Sequence, residues 1–351
     1  MKTLLLTVIC LTILFAGCSE NKQDTEASDS EHAEIDKDFT DHESHDKDEI
    51  EDSEEITDEN EEVPDENGEI ELTKWMTEKV DAPKVKYHVF YSDSVNEKAS
   101  FHIYVPDSYE ENPEKSFPVL YYLHGGGGTG LEGVAPISSM FDQAILKGAI
   151  PDMLIVFPYG LPYGMWVDSK DGTQPMESLL MDDLIPFVDE NYRTKKADGR
   201  IVEGFSMGGY GAGRLGLKYH DRFSALSMLG AGPLQLDFLE GGPYVPIEKR
   251  EQLFEEVYGS DMDYFEEQSP WRTAESVADS LPENFKIRIV IGTKDTMYDN
   301  NLLFKDLLDQ LGISHHYHEL PDIAHTPIPV INYIVNNDPE FYLSAFGDDI
   351  P

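Results

Sequence analysis

Arg200-Ile201-Val202-Glu203-Gly204-Phe205-Ser206-Met207-Gly208-Gly209 is the stretch that decides how the rest of the chain is read. Its first half, Ile201 to Phe205, reads as a short strand. The small residues from Gly208 to Gly216, ending in Leu217-Lys218-Tyr219, read as a tightly packed helix. A serine held at a sharp strand-to-helix turn adopts a strained backbone. Side chains two positions before and after it would collide, so glycine is required at 204 and 208. The helix N-terminus behind the serine favours negative charge developing beside it. Ser206 is therefore expected to be a nucleophile on such an elbow.

Upstream, Leu123-His124-Gly125-Gly126-Gly127-Gly128 ends an apolar run. Consecutive glycines let backbone N–H groups approach a ligand closely. The loop lacks the Gly-Lys-Ser/Thr ending of a nucleotide-binding loop. It fits an oxyanion-hole turn, with the N–H groups of Gly126 and Met207 as donors. His124 is expected to be a structural residue at a strand end.

Working outward, Val85–Tyr91 and Ser100–Val105 alternate like half-buried strands of an antiparallel lead-in. Val119–Leu123, Leu154–Phe157, Ile201–Phe205, Ala225–Leu229 and Ile287–Ile291 are continuous apolar runs, as in parallel strands covered on both faces. His315–Leu320 reads as a last strand. Helical spacing groups Leu180, Leu184, Phe187 and Val188 within Ser178–Tyr192, and Leu303, Phe304, Leu307, Leu308 and Leu311 within Asn300–Leu311. This alternation predicts an α/β fold: a mostly parallel, doubly wound sheet with helices on both faces. Pro233 to Pro282 breaks the pattern and reads as an irregular insertion with short helices.

A serine hydroxyl needs a base, and the base an orienting acid, in the chain order Ser, Asp or Glu, His. His220 follows the elbow too soon, and His315, His316 and His318 fall within the last strand. His325, in the loop after it, is the expected base. Asp295 ends an apolar strand where ligands bind in such sheets, and is preferred to Asp299 and Asp322 as the acid. Trp166, Tyr159 and Tyr163 follow a strand end and either line an acyl or aryl pocket, the reading adopted for Trp166 and Tyr159, or pack as loop aromatics against the domain surface. Tyr244 and Trp271 could belong either to a lid or to the insertion's own small core.

These landmarks carry a resemblance. Tyr121-Tyr122-Leu123-His124-Gly125-Gly126, Trp166 with Asp168, Gly204–Gly209 with Met207 after the serine, Gly292-Thr293-Lys294-Asp295 and His325 are similar to the esterase D branch of the α/β hydrolases. That branch includes feruloyl and acetyl-xylan esterases, S-formylglutathione hydrolases, siderophore esterases and mycolyl acyltransferases. The resemblance covers roughly residues 85 to 345. It implies the α/β-hydrolase fold, a triad of Ser206, Asp295 and His325, and an oxyanion hole of Gly126 and Met207. Thr326 and Pro327 depart from the residues that follow the histidine in many feruloyl-esterase-like members, which leaves the substrate open.

The N-terminal part differs in kind. Lys2 and the apolar run Leu4–Phe15 read as an export signal over residues 1–17, too short to span a bilayer comfortably. Phe15-Ala16-Gly17-Cys18 resembles a bacterial lipobox, which makes Cys18 the expected lipidation site and the chain an exported membrane lipoprotein. Residues 18–71 are expected to be a disordered tether. Residues 20–71 hold 25 of the 69 acids and 3 of the 26 bases, about half of the net charge of −43. Such a segment cannot bury enough apolar surface to offset its ordering entropy. His32, His42 and His45 within it are read as solvated rather than metal-binding. Residues 72–351 are expected to form the esterase domain, with the insertion at about 233–282.

Both cysteines, Cys10 and Cys18, lie in the first 18 residues, so the domain has no disulfide, no cysteine nucleophile and no Cys-ligated metal. The net charge argues against nucleic-acid partners. The leading expectation is a surface-tethered serine esterase that needs no metal or organic cofactor. It would act on small-molecule or carbohydrate-linked esters such as acetyl or feruloyl esters. An acyltransferase of the same fold and a non-catalytic tethered binding protein are the alternatives.

Overall fold

Among the described residues, eight strands form one sheet, in the spatial order Val85–Ser92, Glu97–Tyr104, Leu154–Pro158, Val119–Leu123, Arg200–Phe205, Ala225–Leu229, Lys286–Gly292 and His316–Leu320. In this computed structural model the described residues are 72–235, 237–240 and 245–346. The expected signal peptide (1–17), the acidic tether (18–71), Cys18, His32, His42, His45 and Tyr244 lie outside them.

The strands are β1 (Val85–Ser92), β2 (Glu97–Tyr104), β3 (Val119–Leu123), β4 (Leu154–Pro158), β5 (Arg200–Phe205), β6 (Ala225–Leu229), β7 (Lys286–Gly292) and β8 (His316–Leu320). β1 and β2 form an antiparallel hairpin, and β2 pairs antiparallel with β4. From β4 across to β8 every pairing is parallel. Every residue of β3, β4, β5 and β6 is buried, as continuous apolar runs require of strands covered on both faces. The strands match the sequence reading to within a few residues at either end.

One face of the sheet packs against the helices Met207–Lys218 and Tyr298–Gln310 and the insertion, through Leu215, Phe254, Phe304 and Leu308. The other packs against Leu131–Leu146, Pro327–Asn337 and Pro339–Ala345, through Ile137, Phe141, Ile331 and Tyr342. The chain leaves β3 for β4 on one side, then returns to β5 on the other. Such a reversal opens a crevice at the carboxyl ends of the two central strands. The glycine loop after β3 and the turn after β5 therefore face each other across it.

Helices departed from expectation in three places. The segment expected at Ser178–Tyr192 is helical, but a π-turn over Leu179–Leu184 precedes the helix Ile185–Asn191. In Tyr298–Gln310 the buried stripe is Phe304 and Leu308, four apart, while Leu303 is rotated off it and exposed. The insertion contains the helices Ile247–Tyr258, Met262–Glu267 and Pro270–Val277, more regular than its composition indicated.

Candidate active site

At the end of β5, Ser206 has φ 58° and ψ −118°, and the helix Met207–Lys218 starts at once behind it. That left-handed backbone costs on the order of 1–3 kcal/mol and persists only where the surroundings hold it. Here they do. Ser206 N–H donates to Leu229 O at 2.9 Å, and Ser206 O accepts from Tyr210 N–H and Gly232 N–H at 3.0 and 3.1 Å. A Cβ on Gly204 would overlap the Gly208 carbonyl, and one on Gly208 would overlap Leu123 O. The two glycines are thus fixed by backbone crossing backbone.

Asp295 follows β7 and His325 follows β8, so three separate strand ends deliver the three side chains. The Ser206 hydroxyl donates to His325 Nε2 at 2.8 Å. His325 Nδ1–H donates to the Asp295 carboxylate, 2.8 Å from Oδ2 and 3.0 Å from Oδ1. These partners fix the imidazole tautomer with Nε2 unprotonated and facing the serine. The Asp295 carboxylate is almost wholly buried. It also accepts from Met297 N–H at 2.8 Å, which holds it in one orientation. Phe205 packs against the His325 ring at 4.7 Å between centroids. The rival Asp322 is turned to solvent and paired with Lys294, while Asp299 lies in the first turn of Tyr298–Gln310.

The glycine loop packs on the elbow: a Cβ on Gly125 would lie 3.4 Å from Ser206 Cβ. Gly127 N–H is taken up by Pro162 O at 2.7 Å. Among the described residues nothing takes up Gly126 N–H, and Met207 is the first helical residue, whose N–H has no acceptor within the helix. Both residues line the cavity that holds the serine. His124 is buried beneath the loop. Its Nδ1 donates to Gly125 O at 2.8 Å and its Nε2 accepts from Gly160 N–H at 3.0 Å. Burial lowers its pKa and keeps the ring neutral, so it braces the loop, as a strand-end histidine was expected to.

Two cavities meet at Ser206, Gly126 and His325. The larger, about 370 Å³, is walled by Tyr163, Met165, Met207, Phe238, Leu253 and Met297, among others. The smaller, about 270 Å³, is walled by Tyr122, His124, Glu132, Ile137, Pro327 and Ile328, among others. Tyr163 lines the larger cavity. Trp166 and Tyr159 line neither, which corrects the sequence reading. Trp166 is fully buried under Gly211 and Gly160, and its Nε1–H donates to His124 O at 3.2 Å. Met165 and Trp166 both have left-handed φ, near 53° and 55°, which turns the indole away from the crevice. Tyr159 stacks near His124 at 6.0 Å, outside both cavities. Trp271 packs on Phe304 of the helix Tyr298–Gln310 and donates to Leu234 O, so it ties the insertion to that helix and lines neither cavity. The sequence reading missed Phe238, Leu253, Met297 and Glu132, because no local pattern marks a wall assembled from an insertion, a loop and two helices. Among the described residues, no group of three or more His, Cys, Asp or Glu is placed to hold a metal ion.

Chemically, this arrangement can activate a hydroxyl for attack on a carbonyl and hold the resulting oxyanion. Comparison with known proteins points the same way. The model of the Esterase family, described as "Putative esterase", matches residues 92–318. An esterase of Mycobacterium tuberculosis is 29% identical over 279 residues, covering 68% of this chain and 55% of that protein. An endo-1,4-beta-xylanase/feruloyl esterase of Xylanibacter ruminicola is 30% identical over 170 residues, covering 45% of this chain and 22% of that one. The matches thus span about half, or less, of the curated relatives' own length. A solved ferulic acid esterase superposes with TM-score 0.60 at 20% identity, over 74% of this chain and 98% of its own. An S-formylglutathione hydrolase from Agrobacterium tumefaciens does so with TM-score 0.60 at 17% identity, over 75% and 95%. At such identities the likeness to these structures is one of fold, and the fold is that of the α/β hydrolases.

Proposed function

The chain belongs to the esterase family, and on that premise we propose that it is a serine esterase that cleaves carboxylic esters through an acyl-enzyme. The observation that carries the reading is the unbroken relay from the Asp295 carboxylate through His325 to the Ser206 hydroxyl, each step at 2.8 Å. His325 Nε2 takes the hydroxyl proton as Ser206 Oγ attacks the ester carbonyl. The oxyanion is held by Gly126 and Met207 N–H. His325 then gives the proton to the departing alcohol oxygen, leaving the acyl group on Ser206. Water, deprotonated by the same nitrogen, releases the acid. Asp295 stabilises the imidazolium formed in each half. Acetyl or feruloyl groups on carbohydrate are the candidate substrates; the feruloyl esterase relatives support this reading. We further propose that acylated Cys18 holds the domain at a membrane surface outside the cytoplasm, on the strength of Leu4–Phe15, Ala16-Gly17-Cys18 and the acidic stretch that follows.

Trapping the intermediate tests the mechanism. Mixing the protein with a slowly deacylated nitrophenyl ester should give a burst of nitrophenol equal to the enzyme present. Mass spectrometry should find the acyl group on the peptide containing Ser206. Steady turnover with no acylated peptide, or acylation elsewhere, would contradict it. Adding an excess of a sugar alcohol separates hydrolysis from acyl transfer by the product formed.

A further inference from the structure

An ester has two halves, and the site has two chambers that join at the nucleophile. The wall of the larger chamber includes Met165, Met207, Phe238 and Leu253, all buried and apolar. An apolar wall of this kind suits the hydrocarbon of an acyl group. In the smaller chamber Glu132, Pro327 and Ile328 are exposed at the rim. Pro327 and Ile328 follow His325 closely and line only this chamber. His325 lines both chambers, but the loop that continues from it lines only this one, and the alcohol half, whose oxygen must lie against His325 to receive its proton, is assigned to this side.

Among the described residues lining this chamber Glu132 is the only acid, and no Lys or Arg is among them. Its carboxylate hangs over the glycine loop: a Cβ on Gly128 would lie 2.8 Å from Oε1. Among the described residues it has no ion-pair partner, and its negative charge reaches both His124 and Tyr122 in the chamber wall. The domain's own excess of acids adds to that field. Glu132 also sits in the first turn of the helix Leu131–Leu146, where a carboxylate favours the helix dipole.

We propose that Glu132 sets the charge specificity of the alcohol side of this site: it disfavours esters whose leaving alcohol is anionic and admits neutral, hydroxyl-rich or cationic alcohols. The proposal rests on the esterase reading above. Like charge brought to a carboxylate at the mouth of a cleft is repelled, by an amount that salt screens. The acyl half, held beyond Ser206 in the other chamber, does not feel Glu132 to the same extent.

Three esters of one enzyme preparation decide it: 4-nitrophenyl butyrate, the butyrate ester of 4-hydroxy-3-nitrobenzoic acid, and mono-4-nitrophenyl glutarate. They are neutral, anionic in the alcohol and anionic in the acyl group. The quantity read is kcat/KM relative to the neutral ester, for wild type and Glu132→Gln, in low and high salt, with melting temperatures to check folding. The expected result is a rise of about fivefold in the ratio for the anionic alcohol in Glu132→Gln, a change under about twofold for the glutarate, and a wild-type handicap that shrinks in high salt. Glu132→Lys should raise the first ratio further. An unchanged ratio for the anionic alcohol in both variants overturns the proposal, as does a gain confined to the glutarate. Failure to turn over even the neutral ester would instead overturn the esterase reading on which the proposal stands.

Discussion

The Ser206 backbone, at φ 58°, is strained, and the strain places Oγ clear of the sheet edge. What sustains it is the absence of side chains at Gly204 and Gly208, where the elbow crosses its own backbone and that of Leu123. Gly208→Ala should therefore destabilise the domain by about 1–3 kcal/mol, the usual cost of overpacking, and lower kcat as Ser206 is displaced. Urea unfolding and steady-state rates measure the two, and an alanine that leaves both unchanged would contradict this picture of the elbow. The residues of this site were legible because each has a chemical reason for its spacing. A glycine two positions either side of a serine, and an acid and a histidine after successive strands, follow from the geometry of attack on a carbonyl. Trp166 and Tyr159 were misread for the opposite reason. An aromatic after a strand end can face a crevice or the core equally well by sequence, and two successive left-handed residues turned Trp166 inward.

At the scale of elements, Arg288 on β7 joins the segments that carry the triad. Its guanidinium meets Glu203 on β5 at 2.6 Å, Asp338 at 3.1 Å and Tyr342 Oη at 2.9 Å. β5 leads to Ser206, β7 to Asp295, and Asp338 and Tyr342 lie in the chain that follows His325. A paired, hydrogen-bonded buried charge of this kind is costly to break, which resists slippage between those segments. Titration of buried groups also acts at this scale. His102 on β2 is buried, its Nε2 accepts from Val80 N–H at 2.9 Å, and burial lowers its pKa to about 4. The unfolded chain, with an ordinary histidine near 6.5, binds the proton first. The stabilisation is thus complete above pH 6.5 and lost as the pH falls towards 4, to the extent of about 3 kcal/mol. Denaturant melts between pH 7 and 4 should show this fall, and His102→Gln should flatten part of it; a slope identical in both proteins would contradict the assignment. Strands were more legible than helices because wholly buried strands need unbroken apolar runs. Leu131–Leu146 carries Gly133, Pro136 and two serines, and Pro327–Asn337 is rich in Ile and Val, so neither announces a helix and only tertiary packing makes them one.

Across the whole molecule, the charge is divided so that a short acidic stretch holds about half of the excess and the rest of the chain the other half. If that stretch acts only as a tether, a protein comprising residues 72–351 should keep its melting temperature and its kcat/KM on a soluble ester, and Cys18→Ala should leave the full chain in the soluble fraction. A large loss of either property in the shorter protein, or membrane retention of the Cys18 variant, would assign those residues another role. The sheet itself brings the three side chains together. Ser206 and His325 stand 119 residues apart in the chain, and Asp295 and His325 stand 30 apart, yet all three meet at one sheet edge. Groups that act as one unit lose activity non-additively. The most direct test is therefore kcat on one nitrophenyl ester for wild type, Ser206→Ala, His325→Ala and the double variant. We expect each single change to lower kcat by several orders of magnitude and the double change to cost little more than either. Near-normal turnover in Ser206→Ala, or losses that multiply in the double variant, would contradict the triad.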